Sequence, residues 1–458
     1  MTLLAFVILL AAVVIGYVMN LRAARAIRDG GTRMHSLEGF HGGYAALMTL
    51  VPTFFLIIVW LLFQDTVITA IVKAGLPAGV LGGKGTGEVQ LIMSEIRSIA
   101  GGRIFGTPED WKLEAAEHLV ALRELSGWLL VAVTAALASA MMYISRRTVA
   151  AEFRARQGVE RILHGLMVSC AVVAIFVTIG IVASLLFETI RFFQMVPFWD
   201  FVLGTNWEPQ IPIREDQVAA EGAFGMLPVF LGTLVIAFIA MFIATPIGLL
   251  SAVYLHEFAS RRVRGVVKPV LEVLAGVPTV VYGFFAILVI APAIRSFGDN
   301  FGLPIAPNTA LAAGSVMGIM LIPFISSFAD DALGAVPRSL RDGSLAVGAT
   351  QAETISKVLF PAAIPGIVGG ILLAVSRAIG ETMIVVMAAG LIAKMTINPL
   401  DSVTTVTVQI VTLLIGDTAF DSPKTLAAFA LGMVLFLMTL CINILALRIV
   451  RKYREIYD

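Results

Sequence analysis

The chain has 458 residues, of which 59% are hydrophobic and only 14% are charged, and its formal net charge is +1. Soluble globular domains contain about 45–50% apolar and about 25% charged residues, so this composition excludes an ordinary soluble domain and is typical of a chain whose solvent is lipid. The small net charge gives no electrostatic reason to expect a nucleic-acid partner, and Cys170 and Cys441 lie inside apolar runs, where they predict neither a disulfide nor a metal site.

Nine apolar runs are near or above the roughly 18–20 residues that an α-helix needs to cross about 30 Å of hydrocarbon. They predict an all-α polytopic membrane protein with about nine transmembrane helices. The runs are 2–19, 44–63, 127–145, 164–187, 227–254, 271–294, 309–330, 364–393 and 425–447.

The first run has no basic residue before it and no cleavage pattern of small residues, so we expect it to remain as an anchor rather than to be removed as a signal peptide. Basic residues accumulate in alternate connections, and basic connections favour the cytoplasmic side of a membrane. This asymmetry predicts a multi-pass protein with its N-terminus outside and its C-terminus in the cytoplasm. The basic connections are 22–33, 146–161, 261–268, 338–357 and 448–454.

The spacing of the runs suggests two parts. Residues 1–163 would hold three transmembrane helices and an extracytoplasmic loop, 64–126. Residues 164–458 would hold six transmembrane helices and a cytoplasmic loop, 331–363.

The two largest external connections carry local signals. Thr107-Pro108-Glu109-Asp110 is typical of a helix start, and 111–125 places its apolar residues on one face, which predicts an amphipathic helix lying on the membrane or on the protein. The connection 188–226 combines Trp199 and Trp207 with several prolines, a pattern that suits an extracytoplasmic cap at interfacial depth.

The sequence lacks a complete phosphate-binding loop of the Walker A type. The nearest lookalike, 82–86, has Gly85 where a magnesium-binding hydroxyl is needed and Ala78 where the first glycine belongs, so it favours a flexible external loop. The five histidines show no metal-ligand spacing. We therefore expect no catalytic residue, no metal site and no cofactor in this chain, and any ATP must be hydrolysed on a separate chain. The histidines are His35, His41, His118, His164 and His256.

The cytoplasmic loop contains a patterned segment that ends at Pro361, where a helix should stop. Helical spacing would place Leu345, Ala349 and Ala352 on one face, beside glycine and small residues that let a partner backbone approach closely. A short helix with an apolar face in water either packs on its own bundle or docks in a groove of another protein. Spacing alone leaves both interpretations open.

This segment resembles the loop that defines import-type ABC permeases, which reads Glu-Ala-Ala, three residues, Gly, nine residues and Ile-x-Leu-Pro. Gly348 and Pro361 match at the right separation, whereas 342–344 departs from the triplet and Val358 and Phe360 replace Ile and Leu. The resemblance implies that the helix docks on an ATPase subunit and that 342–356 transmit ATP-driven motion. The residues that it implicates in ATPase coupling are Asp342, Gly343, Ser344, Leu345, Ala346, Gly348, Ala349 and Thr350.

The eighth run, 364–393, carries two ionisable residues near its middle, Arg377 and Glu381. Their i,i+4 spacing on a helix would place them on one face, about 6 Å apart along the axis. An unpaired charge at that depth costs about 2.5–3.5 kcal/mol or more, so the pair must face the protein interior or water. The pair is either a structural ion pair or part of an anion path, in which Arg377 offers a planar charged fork and Glu381 holds Arg377 between visits.

Three segments in residues 164–458 are similar to those of phosphate permeases of the import superfamily. Met383 after Glu-Thr, together with 224–228, resembles the PstC member of the permease pair rather than the PstA member. Residues 1–163 go beyond the six-helix core and resemble the longer PstC variants, and no chemistry is assigned to them. The three segments are Arg377–Met383, Gly276–Gly283, and Phe224–Pro228 leading into Gly232-Thr233.

The resemblance implies the transmembrane permease subunit of an ATP-driven phosphate importer in the bacterial inner membrane, with six of the nine helices forming an import-type ABC permease core. Arg377 and Glu381 would line the substrate path. The expected partners are a PstA-like second permease, a PstB-like ATPase dimer at the cytoplasmic loop, an extracytoplasmic PstS-like phosphate-binding protein, and membrane lipid.

Three other functions stay open at this point. One is a permease for another oxyanion, since such importers share the loop. A second is an ion-coupled secondary carrier, which would need ion-coupling acids or an inverted repeat, whereas the sequence shows one clearly intramembrane acid, Glu381, and no repeat. A third is a phosphate-sensing scaffold that reports phosphate supply to a signalling partner.

Overall fold

The structure is a computed structural model, and it describes residues 1–77, 80, 86–103, 108–209, 222–415 and 422–454. The chain divides into two compact units, Met1–Val177 and Thr178–Asp458. The sequence predicted the division at 163/164, where the fourth apolar run begins. The two compact units meet inside one long helix, Ala155–Met195, which packs on Tyr44 near its start through Gly158 and on Phe201 near its end through Phe192. The predicted domain boundary stays a prediction.

Nine helices in the described part of the chain are long and apolar enough to cross a membrane, which confirms the predicted number and the all-α class. Seven of them lie where the apolar runs predicted them, and the sixth and eighth are displaced. The nine are Thr2–Asp29, Glu38–Ala74, Asp110–Arg147, Ala155–Met195, Leu227–Phe258, Thr279–Asp299, Ala310–Gly334, Gln351–Ile379 and Pro423–Lys452.

The N-terminal unit is built from four helices and the first part of a fifth. Three of the helices pack around Leu9, Ile57 and Leu130. A buried hydrogen bond from Asn20 Nδ2 to Ser145 Oγ, 3.1 Å long, joins the first helix to the fourth. The elements are α1 (Thr2–Asp29), α2 (Glu38–Ala74), α3 (Thr86–Ala100), α4 (Asp110–Arg147) and α5 (Ala155–Met195).

The predicted amphipathic helix 111–125 is the first part of α4, which continues without a break into the third span. Its apolar face, including Ala116 and Leu119, packs against residues of α2 and α3. The face is therefore covered by protein rather than by the membrane surface. The predicted cap residue Thr107 and the lookalike segment 82–85 lie outside the described residues.

The connection after α5 folds into a short helix and two paired strands. Trp207 is paired with Phe224 in the antiparallel register, and their rings meet edge to face. Phe192 and Phe201 extend this contact into a buried aromatic cluster. The predicted cap is thus an aromatic cluster in the described part of the connection. The elements are α6 (Phe198–Leu203), β1 (Trp207–Glu208) and β2 (Ala223–Phe224).

The fifth to seventh spans contain two π-helical turns. The predicted sixth run, 271–294, is wrong at its start, because the backbone leaves the helix after Ala275 and a new helix begins only after Pro278, which lacks an amide hydrogen and restricts the residue before it. The elements are α7 (Leu227–Val253), the turn Tyr254–Phe258, α8 (Arg261–Ala275), α9 (Thr279–Phe285), the turn Ala286–Ile290, α10 (Ala291–Asp299) and α11 (Ala310–Gly334).

The core of the C-terminal unit lies between α7 and α11. A Cβ built on Gly314 would meet the Cβ of Ile239 at 2.7 Å, so the two helices approach as closely as a glycine allows. Ala240 and Ala244 of α7 are buried against the same cluster as Met317 of α11. Small residues are the usual means of close helix packing in a membrane, where lipid removes the hydrophobic drive for association.

The last part of the chain contains the eighth and ninth spans. The predicted stop at Pro361 and the predicted run 364–393 are both wrong, since the eighth span extends from Gln351 to Ile379. A π-helical turn directly before Pro361 accommodates the proline ring within a continuous helix. The elements are α12 (Arg338–Ala346), α13 (Gln351–Thr354), the π-helical turn Ile355–Leu359, α14 (Phe360–Ile379), α15 (Met383–Ala388), α16 (Val406–Leu414) and α17 (Pro423–Arg454).

Candidate functional site

Arg377 lies in the last turn of α14, and its guanidinium lies over the ring of Phe324 on α11, 5.5 Å from the ring centroid. Such a cation–π contact contributes about 0.5–2 kcal/mol. Among the described residues Arg377 forms no ion pair, and its side chain is exposed. The positive charge is therefore held in place without being neutralised.

The depth of Arg377 follows from its neighbour on α11. That helix has 25 residues, and at 1.5 Å per residue Phe324 lies about 21 Å from one end and about 15 Å from the other. The two helices run side by side, since Gly366 lies against Ala332 and Gly370 against Phe328. The guanidinium consequently lies near the middle of a membrane-length helix.

Glu381 lies in a break between α14 and α15, because α14 ends at Ile379. Glu381 Oε1 accepts hydrogen bonds from the backbone N–H groups of Met383, at 3.1 Å, and Ile384, at 3.5 Å. The predicted continuous helix through Arg377 and Glu381 is wrong, and in the described residues the two side chains form no ion pair. A carboxylate that accepts hydrogen bonds from nearby backbone N–H groups competes with the hydrogen bonds of a continuous helix. Here these hydrogen bonds lie at the start of α15.

The segment 389–405, which follows α15, is non-helical and is held by Gln409. Gln409 Nε2 donates to the carbonyl oxygen of Leu391 at 2.9 Å and to Thr404 Oγ1 at 3.1 Å. Gln409 Oε1 accepts a hydrogen bond from Trp207 Nε1 at 2.9 Å. Irregular backbone beside membrane helices is tolerated where its polar groups are satisfied by protein, and this buried amide does so.

Asp401 organises the exposed part of the same segment. Its Oδ2 accepts hydrogen bonds from Lys394 Nζ at 2.9 Å and from Thr396 Oγ1 at 2.8 Å. These bonds, the one from Lys394 first, lower the pKa of the Asp401 carboxyl below its usual value. Its backbone oxygen accepts from Ala310 N at 3.0 Å, so the segment is also fixed to the first residue of α11.

The segment that leads into the eighth span forms two helices, α12 and then α13, the first turn of that span, where the sequence predicted one. Gly348 has φ +89°, a left-handed conformation that L residues rarely adopt, and it separates α12 from α13. Thr350 then caps α13 in a reciprocal capping box with Glu353. The predicted single face of Leu345, Ala349 and Ala352 is wrong, because the left-handed glycine turns the chain between them.

The predicted coupling residues all lie on α12 or in the turn that follows it. Only two are half-buried, Ser344 and Ala349, and Ser344 Oγ lies 3.0 Å from Thr354 Oγ1 of α13. No residue of α12 is buried, and the apolar Val347 next to it is 85% exposed. The exposed members are Asp342, Gly343, Leu345, Ala346, Gly348 and Thr350.

A charged cluster that the sequence did not predict lies beside this loop. Asp330 of α11 is 7% exposed, and its carboxylate accepts hydrogen bonds from two residues of α8, Arg264 at 2.9 and 3.0 Å and Lys268 at 2.7 Å. His256 Nδ1 lies 2.8 Å from the same carboxylate. In the sequence, the two cations were only part of a basic connection, and His256 was one of five histidines without metal-ligand spacing.

A second buried acid lies next to this cluster. The side chain of Glu257 is 2% exposed, and its Oε2 lies 2.9 Å from Arg341 Nη2 of α12. The contact is an ion pair rather than a well-angled hydrogen bond, because Oε2 has no hydrogen-bond donor in the described residues. The only sequence signal for it was a single glutamate directly after a predicted span.

Membrane-length helices around a core of small residues, with an exposed helical segment between the seventh and eighth spans, define a polytopic membrane protein. Residues 244–455 match the family described as Binding-protein-dependent transport system inner membrane component, and residues 6–177 match one described as Phosphate ATP-binding cassette transporter. The chain belongs to the first of these families and is a permease subunit of an ABC transporter. The predicted import-type permease family is thereby confirmed.

The alignment with this chain covers most of the length of each of three curated relatives. The Probable ABC transporter permease protein YqgH of Bacillus subtilis is 31% identical over 64% of this chain and 90% of its own. The Phosphate transport system permease protein PstC of Xylella fastidiosa is 31% identical over 55% of this chain and 80% of its own. A Probable phosphate transport system permease protein PstC of Methanocaldococcus jannaschii is 28% identical over 52% of this chain and 78% of its own.

Proposed function

We propose that this permease subunit conducts phosphate along a path lined by Arg377 and Glu381, and that α12 with its following turn is the contact for an ATPase subunit. The observation that carries the proposal is the unneutralised guanidinium near the middle of a membrane-length helix, held by the ring of Phe324. A cation at membrane depth without a carboxylate partner is costly unless it faces water or an anion binds it. Arg377 offers the planar, always charged fork that binds two oxyanion oxygens at once.

Glu381 has a different part in this proposal. Its carboxylate is fixed at the start of α15 by backbone N–H groups and is not bound to Arg377. A fixed negative charge a few residues beyond the guanidinium limits how tightly an anion is held there, since like charges repel. In this proposal, the polar backbone at the break between α14 and α15 also lines the path.

The exposed surface of α12 is typical of a helix that docks on a partner protein. It buries no residue within its own unit, and it presents Leu345, 44% exposed, next to Val347. A short helix with exposed apolar side chains gains free energy by entering a groove of a partner. We assign that partner as the ATPase, so that ATP hydrolysis takes place on another chain.

The complete importer would contain a PstA-like second permease, two PstB-like ATPase subunits and a PstS-like phosphate-binding protein outside the membrane. Similarity to PstC permeases supports this composition. The basic connections support an N-terminus outside and a C-terminus in the cytoplasm of the bacterial cell. With that orientation α12 faces the cytoplasm, where ATP is available.

The test is uptake of labelled phosphate by the assembled complex carrying Arg377→Ala, beside a matched Arg161→Ala control at an exposed position of α5. Loss of a charged hydrogen-bond partner removes about 1.5–3 kcal/mol, so uptake should fall at least about tenfold in Arg377→Ala, with assembly and ATPase binding unchanged. Uptake at normal rate and affinity would make Arg377 merely structural. Competition by sulfate and molybdate against labelled phosphate decides the substrate, and equal competition would replace phosphate by a broader oxyanion class.

A further inference from the structure

The end of the fifth span is tied to the proposed ATPase contact and to the seventh span by two adjacent residues. His256 and Glu257 lie in the π-helical turn Tyr254–Phe258 that ends the fifth span. Glu257 pairs with Arg341 of α12, and His256 contacts Asp330 of α11. One turn of the chain therefore contacts both α11 and α12.

The contact with α12 joins a buried carboxylate to a half-exposed cation. The Glu257 side chain is 2% exposed, whereas the Arg341 side chain is 38% exposed. In the described residues Arg341 is the only Lys or Arg paired with this carboxylate, and His256 Nε2 lies 3.8 Å from it. Moving α12 away from Glu257 would leave a buried carboxylate without its cation, which is far costlier than breaking an exposed ion pair.

A hydrogen bond from α13, on the other side of the Gly348 turn, also binds Glu257. Gln351 Nε2, on the first residue of α13, donates to the backbone oxygen of Glu257 at 2.7 Å. Ser344 and Thr354 join α12 to α13 across that turn through their hydroxyls. The two helices and the turn between them thus hold Glu257 as a unit.

The His256 side of the turn leads toward the proposed path. Asp330 fixes α11 to the π-helical turn through His256, and to α8 through Arg264 and Lys268. Phe324, which supports Arg377, lies six residues before Asp330 on α11, about 9 Å along the axis. A cavity of about 230 Å³, lined by Phe324, Lys268 and Asp330 among others, lies beside this stretch of α11.

We propose that Glu257 and Arg341 are positioning residues for transport: their ion pair transmits the movement of α12 to the ends of α7 and α11, and so couples ATP hydrolysis to the opening of the path at Arg377. This inference rests on the proposed docking of the ATPase at α12. Neither residue touches the transported anion. Their loss changes how much anion moves for each ATP hydrolysed.

The experiment measures ATP hydrolysis and phosphate uptake together in the assembled complex reconstituted into vesicles, for wild type, Glu257→Gln and Arg341→Gln. An energetic coupling of ordinary size corresponds to about a tenfold change, so uptake per ATP should fall about tenfold in both variants while hydrolysis continues. Lys357→Gln is the matched control, because it removes an exposed pair with Glu353, 3.4 Å long, from the same stretch of chain, and its ratio should equal that of wild type.

A charge-reversed double variant, Glu257→Arg with Arg341→Glu, separates the pair from its two members. Recovery of uptake per ATP in the double variant supports the inference, even where a single variant fails to assemble. Wild-type ratios in both single variants, or no recovery in the double variant, overturn it. If the wild-type complex hydrolyses ATP but moves no phosphate, the proposed substrate fails instead; if α12 variants do not affect ATPase binding, the docking proposal fails.

Discussion

The guanidinium of Arg377 and the ring of Phe324 face each other across α14 and α11, 5.5 Å from carbon to ring centroid. A ring attracts a cation through its quadrupole but brings no negative charge. An arginine held by a carboxylate would offer an arriving anion a neutral pair, whereas this arginine offers its full charge. The ring therefore orients the fork and leaves it available.

Phe324→Leu should lower phosphate uptake without abolishing it. The substitution removes a cation–π contact of about 0.5–2 kcal/mol, which corresponds to roughly a two- to thirtyfold change in how often Arg377 occupies its position. Uptake kinetics of the assembled complex measure it, with the effect expected mainly in apparent affinity. Phe242→Leu is the control, since Phe242 is 72% exposed and stacks only on Phe238 among the described aromatic rings. Equal kinetics for the two variants would contradict the role of the ring.

Gly348→Ala should weaken ATPase binding while leaving the spans intact. The φ of +89° costs an L residue about 1–2 kcal/mol, and a Cβ there would meet nothing within 4 Å, so the strain lies in the backbone alone. The turn between α12 and α13 would relax and displace α12. Co-purification of the ATPase subunit measures the effect. Gly165→Ala, in α5 and also without neighbours to its Cβ, should bind the ATPase as wild type does.

The number of spans and the location of seven of them could be predicted from hydropathy, because a helix in lipid needs a long apolar run wherever it lies. The breaks and continuations within these helices could not be predicted from hydropathy. Pro361 predicted the end of a helix, but a π-helical turn before it lets the helix continue. Glu381 was predicted to pair with Arg377, but its carboxylate oxygen accepts a hydrogen bond from a backbone N–H group instead. Both outcomes depend on local competition for hydrogen bonds that residue type alone does not decide.

The charged pairs of the loop region were equally beyond prediction. Arg341 and Glu257 are 84 positions apart in the sequence, and nothing in their local patterns relates them. Asp330 ends a predicted span, where an acid is ordinarily taken as a solvated group. Only the packing of α7, α8, α11 and α12 brings these residues into contact.

Gln409→Leu should destabilise the C-terminal unit. Gln409 is 6% exposed, and its loss leaves the indole N–H of Trp207 and the carbonyl of Leu391 without partners. The unsatisfied indole N–H of the buried Trp207 alone costs about 1–3 kcal/mol, so the unfolding midpoint of the purified complex should fall by several degrees. A thermal unfolding assay measures it. Gln157→Leu, at an exposed position of α5, serves as control, and a shift of similar size there would remove the argument.

Asp401→Asn should lower stability at neutral pH but not in acid. The pKa of Asp401 is lowered in the folded chain by Lys394 and Thr396, so its contribution is present above the unfolded pKa of about 3.9 and is lost as the pH falls through the folded pKa. The difference in unfolding midpoint between wild type and variant should therefore be constant from about pH 5 upward and shrink below about pH 4. A difference that grows on acidification would contradict the assignment.

Asp330→Asn should be among the most damaging single changes in the loop region. The carboxylate binds Arg264 and Lys268 and contacts His256, and an amide would leave two cations paired with nothing negative. Removing one partner of a buried charge pair costs about 3–5 kcal/mol, and the lower end applies because the cations are 38% and 34% exposed. The neighbouring Asp331 is exposed and makes a matched control, since Asp331→Asn changes the same charge one position along α11. Thermal unfolding of both complexes, with uptake per ATP, compares them. A loss near 3 kcal/mol in Asp330→Asn and none in Asp331→Asn is the expected result, and equal stability of the two variants would show that α8 and α11 are held together by packing alone.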